Sequence, residues 1–325
     1  MTKGIMLRQT GGPEQLIFED ITIPKPGPGQ VRIRHSAVGV NFIDVYHRTG
    51  LYPLPLPTSI GSEAAGIVEE LGPGVTDLKT GQRVAYAGGP PGSYVEERVI
   101  PADRLVPLPD SVTDQQAASV MLQGMTVQYL LNRTYKVKKG DTILFHAAAG
   151  GVGLLACQWA KALGATVIGT VSSSAKAELA RAHGADHVID YSKEDFVAAV
   201  RDLTKGKGVP VVYDSVGKTT FLKSLDCLSM RGLMVTFGQS SGPVEPLDLR
   251  ILQAKGSLFL TRPTLFHYTA DRQELLDTAA DLFAQMTSGK VKPTIGQTYR
   301  LADAAQAHRD LEARKTTGST ILTVG

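Results

Sequence analysis

Thr142-Ile-Leu-Phe-His-Ala-Ala-Ala-Gly-Gly-Val-Gly-Leu-Leu-Ala-Cys-Gln-Trp-Ala160 is the most apolar long stretch of the chain. Its length approaches that of a membrane span, about 20 residues. However, Gly150, Gly151 and Gly153 break it in the middle, and His146 and Gln158 sit within it. The breaks divide it into a buried strand, a tight turn and a helix. The turn reads Gly151-Val152-Gly153-Leu154-Leu155-Ala156, the G-x-G-x-x-A pattern of a dinucleotide-binding turn. In that pattern the first glycine permits the turn and the second lets backbone approach a pyrophosphate. Ala156 lets the helix lie close to its sheet. The phosphates then meet free N–H groups and the positive end of the helix dipole. Glycines serving packing alone are the plainer reading, and the strand before and the strands after weigh against it.

Downstream, strand-like runs at 166–171, 187–190, 209–215, 233–238 and 257–261 follow the first strand, 142–147. Helical stretches at 152–163, 175–183 and 193–204 separate the early ones, and Gly164 and Gly184 close the first two. This alternation predicts an α/β fold with a doubly wound parallel sheet of the Rossmann type. Residues 1–124 have another texture. Short β-type runs such as 30–38, 65–72 and 82–86 lie between proline-rich loops, and 30–34 alternates polar with apolar residues. A helical stretch at 272–288 and short C-terminal strands complete the chain. The expected domains are therefore 125–263, the α/β unit, inserted into a β-rich unit of 1–124 plus 264–325. A cleft between two such domains is the natural ligand site.

Composition narrows the function classes. The 325 residues correspond to about two domains at roughly 150 residues each. With 42% hydrophobic residues the chain can bury a core, which excludes wholesale disorder. A net charge of +3 gives no electrostatic case for a nucleic-acid binder. Cys157 and Cys227 cannot build a four-cysteine zinc lobe or a disulfide scaffold. The N-terminal run MTKGIMLRQTGGPEQL lacks the apolar core of a signal peptide, so a cytoplasmic location is expected.

The second strand of the α/β unit ends in Ser172-Ser173-Ser174, with Lys176 just beyond. NAD enzymes usually carry Asp or Glu here for the ribose 2′-hydroxyl. Hydroxyls and an ammonium suit a 2′-phosphate, which an acid would repel. NADPH is therefore the expected cofactor, with Arg181 and Tyr191 as further candidates near its phosphate. An N-cap for the helix at 175 accounts for one serine but not for the missing acid.

The chain resembles the medium-chain dehydrogenases/reductases, and within them the NADPH:quinone oxidoreductase, zeta-crystallin-like branch. The resemblance is carried by Asn41-Phe-Ile-Asp-Val-Tyr46, Gly50-Leu-Tyr-Pro53, Gly61-Ser-Glu-Ala-Ala-Gly66, Gly72-Pro-Gly-Val75 and Gly81-Gln-Arg-Val84. It continues through Leu122-Gln-Gly-Met-Thr126, 145–165, Tyr213-Asp-Ser-Val-Gly217 and Phe237-Gly238. It implies a GroES-like catalytic domain carrying an inserted Rossmann NADPH domain. Zinc-dependent members have a catalytic Cys near position 41 and a Gly-His-Glu run. This chain has Asn41 and Gly61-Ser62-Glu63, so no metal is expected. The pair His183/His187, set at a helix end and a strand, is no better a ligand set. Without a metal to polarise a carbonyl, the acceptor must already be electrophilic: a quinone or a conjugated enone.

The resemblance places Asn41 and Tyr46 at the nicotinamide end, as hydrogen-bonding groups with Tyr46 a proton donor, and Asp44 as an orienting neighbour. Thr126 and Tyr129 stand nearby. Gly151, Val152 and Gly153 hold the pyrophosphate; Ser172, Lys176 and Tyr191 take the 2′-phosphate ribose. Val216, Phe237, Gly238, Gln239 and Ser240 follow later strands, and Arg314 is a further family-level contact. Packing, capping and solvated-charge roles remain open for Tyr46, Asn41 and Arg314. The expected function is hydride transfer from NADPH to a small-molecule quinone in the interdomain cleft. Reduction of a conjugated C=C bond by an enone or enoyl reductase is the alternative, and an RNA-binding or structural crystallin-like role the distant one. The apolar run 257–261 at the sheet edge predicts a homodimer. No membrane partner is expected.

Overall fold

The computed structural model describes residues 2–325. Its contacts define two compact units. One comprises Met1–Met125, Tyr268–Thr287 and Pro293–Gly325; the other comprises Thr126–His267 and Ser288–Lys292. The first unit begins with β1 (Thr2–Met6), β2 (Ile17–Ile21), β3 (Gln30–Val40), α1 (Phe42–Thr49), β4 (Glu63–Leu71), β5 (Arg83–Ala87), β6 (Glu97–Pro101), β7 (Val106–Pro107) and α2 (Asp114–Ala118). Helix α3 (Met121–Tyr129) starts in the first unit and ends in the second. The second unit runs β8 (Thr142–Phe145), α4 (Gly151–Ala162), β9 (Thr166–Val171), α5 (Ser174–Ala182), β10 (His187–Asp190), α6 (Phe196–Leu203), β11 (Val209–Asp214), α7 (Phe221–Cys227), β12 (Leu228–Thr236), α8 (Arg250–Ala254) and β13 (Phe259–Thr261). After α9 (Leu265–Tyr268) come α10 (Arg272–Thr287), β14 (Ile295–Arg300), α11 (Ala304–Glu312) and β15 (Ser319–Thr323).

In the first unit β3 organises the sheet, whose order is β14-β15-β3-β4-β5-β7. β3 pairs antiparallel with β4, β6 and β15. Its alternation buries Val31 and Ile33 in a core with Val68, Val84, Ile100 and Leu105. The register between β3 and β4 shifts between His35 and Ala37, next to Gly66. A Cβ on Gly66 would sit 2.1 Å from the Arg34 carbonyl oxygen. The strands approach this closely only because Gly66 has no side chain.

The second unit is a six-stranded sheet of order β10-β9-β8-β11-β12-β13, parallel throughout. The chain winds outward from β8 in one direction, then returns to β11 and winds in the other. This order puts a topological switch between β8 and β11, where ligands bind doubly wound sheets. Leu144, Ile168, Val212 and Met234 form its buried middle with Phe196 and Val200 of α6. The stretch 142–160 is thus β8, a turn and most of α4, and no helix among the described residues is long and apolar enough to cross a membrane. Several bounds shift by one or two residues, as where β13 begins at Phe259 and not 257, and two elements start three or more residues from their predicted positions. β12 begins at Leu228, not 233, because Leu228 pairs with Val209 across a register shift. Helix α6 begins at Phe196, not 193, because Lys193 lies in the turn after β10. Residues 288–292 belong to this unit through Gln158, whose amide donates to the Lys292 carbonyl at 3.1 Å and accepts its N–H at 2.9 Å.

Gly66→Ala should destabilise the protein by about 2 kcal/mol, the usual cost of overpacking a closed site. Urea unfolding measures it, and a variant as stable as the parent would show that β3 and β4 can move apart.

Candidate functional site

In the first unit the site is built at the start of α1. Asn41 is the extended residue before the helix, and Gly50, in the left-handed region at φ 82°, ends it. The Asn41 backbone N–H donates to Asp44 Oδ2 at 2.9 Å. Asp44 also accepts from Ser62 Oγ at 3.1 Å and from the Tyr94 hydroxyl at 2.9 Å. The Asn41 side chain donates from Nδ2 to Glu63 Oε1 at 2.6 Å and accepts from Gln123 Nε2 at 3.1 Å. Glu63 Oε2 takes the Leu122 N–H at the start of α3, also at 2.6 Å. Tyr46, one turn further along α1, is 8% exposed, its ring packed between Phe42 and Tyr52 at 5.7 and 5.1 Å. Asn41 therefore caps, and Tyr46 lies within, one short helix whose start is held by two buried carboxyl groups.

Neither Asp44 nor Glu63 has exposed surface. Burial disfavours their charged forms, pushing Asp44 up to about 7 and Glu63 up to about 8, despite hydrogen bonds that act the other way. Behind Asp44 a polar chain leads to the surface. Tyr94 lies 3.1 Å from His308 Nε2, and His308 Nδ1 lies 3.4 Å from Arg48, which is paired with Glu312 at 2.8 Å. Arginine only donates, so His308 Nδ1 accepts and its proton sits on Nε2, facing Tyr94. Burial and the neighbouring Arg48 charge keep His308 neutral, lowered to about 3.

In the second unit the sequence-predicted groups follow successive strands of one sheet. Gly151–Gly153 open α4 after β8, Ser172 and Lys176 follow β9, Tyr191 follows β10, Val216 follows β11, and 237–240 follow β12. All stand at carboxyl ends of parallel strands. The left-handed residue of the β8–α4 turn is Ala147, φ 54°, and not a glycine. Gly153 is needed for packing: a Cβ there would sit 2.3 Å from the Ala147 carbonyl oxygen. Asp214 organises the next loop, accepting the N–H groups of Val216 and Gly217 at 2.7 and 3.1 Å and the Thr220 hydroxyl at 2.7 Å. Ser241 Oγ donates to the Val216 carbonyl at 2.7 Å and joins the loops after β11 and β12. His146, directly after β8, is fully buried, 2.8 Å from Thr170 Oγ1 and 2.9 Å from Ser224 Oγ.

Beyond β9, Ser173 caps α5 by accepting the Lys176 N–H at 3.4 Å. Ser174 accepts from Lys193 Nζ at 2.7 Å. Sequence reasoning missed Lys193. The pairing of β9 with β10 brings the two turns together, and no spacing along the chain signals it. It also missed Gln123 as a partner of Asn41. Of the remaining predicted residues, Thr126 and Tyr129 lie on the later part of α3 and are nearly buried, while Arg314 is exposed just past α11 in the first unit. His183 ends α5 and bonds the Leu179 carbonyl, and His187 begins β10. Among the described residues no three His, Cys, Asp or Glu side chains are grouped to hold a metal ion.

The folded-state values of Asp44 and Glu63 lie above their ordinary values of 3.8 and 4.5. Their stabilising contribution is therefore complete in acid and is lost as pH rises through 7 to 8. Asp44 contributes about two pH units and Glu63 about three, so unfolding free energy should fall by on the order of 7 kcal/mol from pH 5 to pH 9 through this pair. Glu63→Gln should lose distinctly less; parallel pH dependence of parent and variant in urea titrations would contradict this.

Residues 27–110 match the alcohol dehydrogenase GroES-like domain, and residues 151–285 match the zinc-binding dehydrogenase family. The chain is 55% identical over 323 residues to a quinone oxidoreductase of Pseudomonas aeruginosa, covering 99% of both chains. It is 47% identical to a 2-haloacrylate reductase of a Burkholderia species, again over 99% of both. The crystal structure of Escherichia coli quinone oxidoreductase complexed with NADPH superposes with a TM-score of 0.98 at 48% identity, over 99% of this chain and 100% of that one. With its parallel nucleotide-type sheet and its GroES-like β unit, this chain belongs to the quinone oxidoreductase family of the medium-chain dehydrogenases/reductases.

Proposed function

We propose that this protein is an NADPH-dependent quinone reductase that works without a metal ion. The observation that carries the cofactor assignment is the pair of turns after β9 and β10. They present serine hydroxyls, Lys176 and Lys193, and no carboxylate follows β9. A 2′-phosphate is matched there by ammonium groups and hydroxyl donors. Family membership carries the acceptor assignment.

The N-terminus of α4 at Gly151, Val152 and Gly153 receives the pyrophosphate with free N–H groups and the helix dipole. Ser172, Lys176 and Tyr191 hold the 2′-phosphate ribose, and Lys193 is a second cation beside it. Val216, Phe237, Gly238, Gln239 and Ser240 border the cofactor, and Thr126, Tyr129 and Arg314 are further contacts. Bound NADPH supplies a hydride to an acceptor that is already electrophilic. Asn41 and Tyr46 contact the reacting groups. Their N–H and O–H donors stabilise charge developing on the acceptor oxygen, and Tyr46 delivers a proton. Asn41 and Ser62 stand where zinc-dependent relatives place ligands, so hydrogen bonding takes over the role of a Lewis acid.

The 2-haloacrylate reductase relative supports a second reading, reduction of a conjugated C=C bond by the same donors. The two are separated by comparing kcat/KM for a benzoquinone and for a 2-haloacrylate with chelator-treated protein. Quinone turnover lost on chelation would contradict the metal-free reading. The partner we assign is a second copy, docked along β13. Among the described residues that strand pairs only with β12, and Phe259 and, on β12, Met230 are 62% and 75% exposed.

Lys176→Ala should raise KM for NADPH about tenfold, the effect of losing one charge-assisted phosphate contact, and leave KM for NADH unchanged. Lys193→Ala should act in the same direction with a smaller factor. Equal effects on both cofactors in steady-state kinetics would place these lysines away from the phosphate. Phe259→Asp should convert a dimer to monomers in sedimentation; a parent that sediments as a monomer at micromolar concentration would refute the dimer.

A further inference from the structure

We infer that Glu63 is a positioning residue whose carboxylate dictates which end of the Asn41 amide faces β4 and which faces α3, and so sets the donor pattern that Asn41 offers the acceptor. The inference rests on the reading of Asn41 as a group at the reacting site. Both oxygens of Glu63 accept: Oε2 from the Leu122 N–H and Oε1 from Asn41 Nδ2. An ionised carboxylate can only accept. The Asn41 amide must therefore turn Nδ2 to Glu63 and Oδ1 to Gln123, whose Nε2 donates to it. Gln123 is then left with Oε1 toward Ser319, which donates its hydroxyl at 2.8 Å. The relay Ser319 to Gln123 to Asn41 to Glu63 runs in one direction.

Amide groups are nearly symmetric in shape, and a half-turn exchanges their donor for their acceptor. Of the four side chains only the carboxylate lacks a donor, so it alone fixes the direction. All four residues are buried, so water does not compete. Gly39 makes the room, since a Cβ there would sit 2.3 Å from Glu63 Oε1. A reversed Asn41 would exchange its remaining N–H for a lone pair, the wrong partner for an oxygen gaining negative charge.

Glu63→Gln is a near-isosteric test. Its Oε1 can still accept the Leu122 N–H while Nε2 donates to Asn41 Oδ1. Asn41 then donates to Gln123 and Gln123 to Ser319, so every group stays paired with the relay reversed. The double variant Glu63→Gln/Gln123→Glu restores a buried carboxylate but puts it on the other side, locking Asn41 in reverse. Asn41→Ala reports on Asn41 itself. With NADPH and a benzoquinone at pH 9, Glu63→Gln should lower kcat at least tenfold, with the melting temperature not lowered and KM for NADPH within twofold. The double variant should stay as low. Full kcat in Glu63→Gln, beside a loss in Asn41→Ala, would overturn the role of Glu63 alone. Recovery in the double variant would overturn it too, because charge and not direction would then matter. Full kcat in Asn41→Ala would overturn the reading of Asn41 and this inference with it.

A pH profile tests the same point should the double variant not fold. Protonated Glu63 gains a donor and resembles glutamine, so parent kcat should fall toward that of Glu63→Gln as pH drops through about 8. The titratable groups facing Glu63 are Asp44 from α1, Tyr86 from β5 and Tyr94, and burial holds both phenols protonated to higher pH. Asp44 remains in the variant, so a limb that Glu63→Gln retains unchanged would overturn the inference.

Discussion

The buried carboxyl group of Glu63 is the constraint around which the β-rich unit is arranged. It sits on β4 yet holds the residue that starts α1 and the backbone N–H that starts α3. Through Gln123 it also reaches Ser319, the first residue of β15. Burying a charge costs several kcal/mol, and the two bonds of 2.6 Å offset only part of that cost, so burial pushes Glu63 up to about 8. Each segment can dock in only one way if the carboxylate is to keep both donors. Gly39 is part of the same constraint, since any larger residue would occupy the space of the carboxyl group.

Asp44 extends this logic along α1. Its carboxyl group takes the Asn41 N–H, so the residue proposed to meet the acceptor is tied at its backbone by one acid and at its side chain by another. The chain through Tyr94 and His308 to Arg48 and Glu312 joins α1 to α11. The result is a short helix with little freedom at its start, suited to groups that act by hydrogen bonding and must be held in place beforehand.

The α/β unit follows the economy of a doubly wound sheet. Five loops at one edge of the sheet carry the proposed cofactor contacts, and the sheet beneath is buried and apolar. Several of the polar groups buried near these loops are paired. Asp214 takes up the N–H groups of the loop that carries Val216, and His146 is enclosed by Thr170 and Ser224. The close packing of α4 against the turn after β8 requires Gly153, so this glycine has a packing duty beside any role toward phosphate.

Sequence alone determined the parallel sheet, the position of the nucleotide-type turn, the missing acid after the second strand and the β-rich character of the first 124 residues. These features are local: periodicity, glycine placement and residue type act within one or two elements. Tertiary structure decided the rest. The early start of β12 depends on Leu228 pairing with Val209, and the sequence around it has no strand pattern of its own. Lys193 meets Ser174 because β10 lies beside β9. Gln123 stands 82 residues from Asn41 and 196 from Ser319, so only folding makes them one relay. Asn41 and Glu63 could be singled out by residue type, but the direction of the amide between them is set by which donors the fold leaves facing a buried carboxylate.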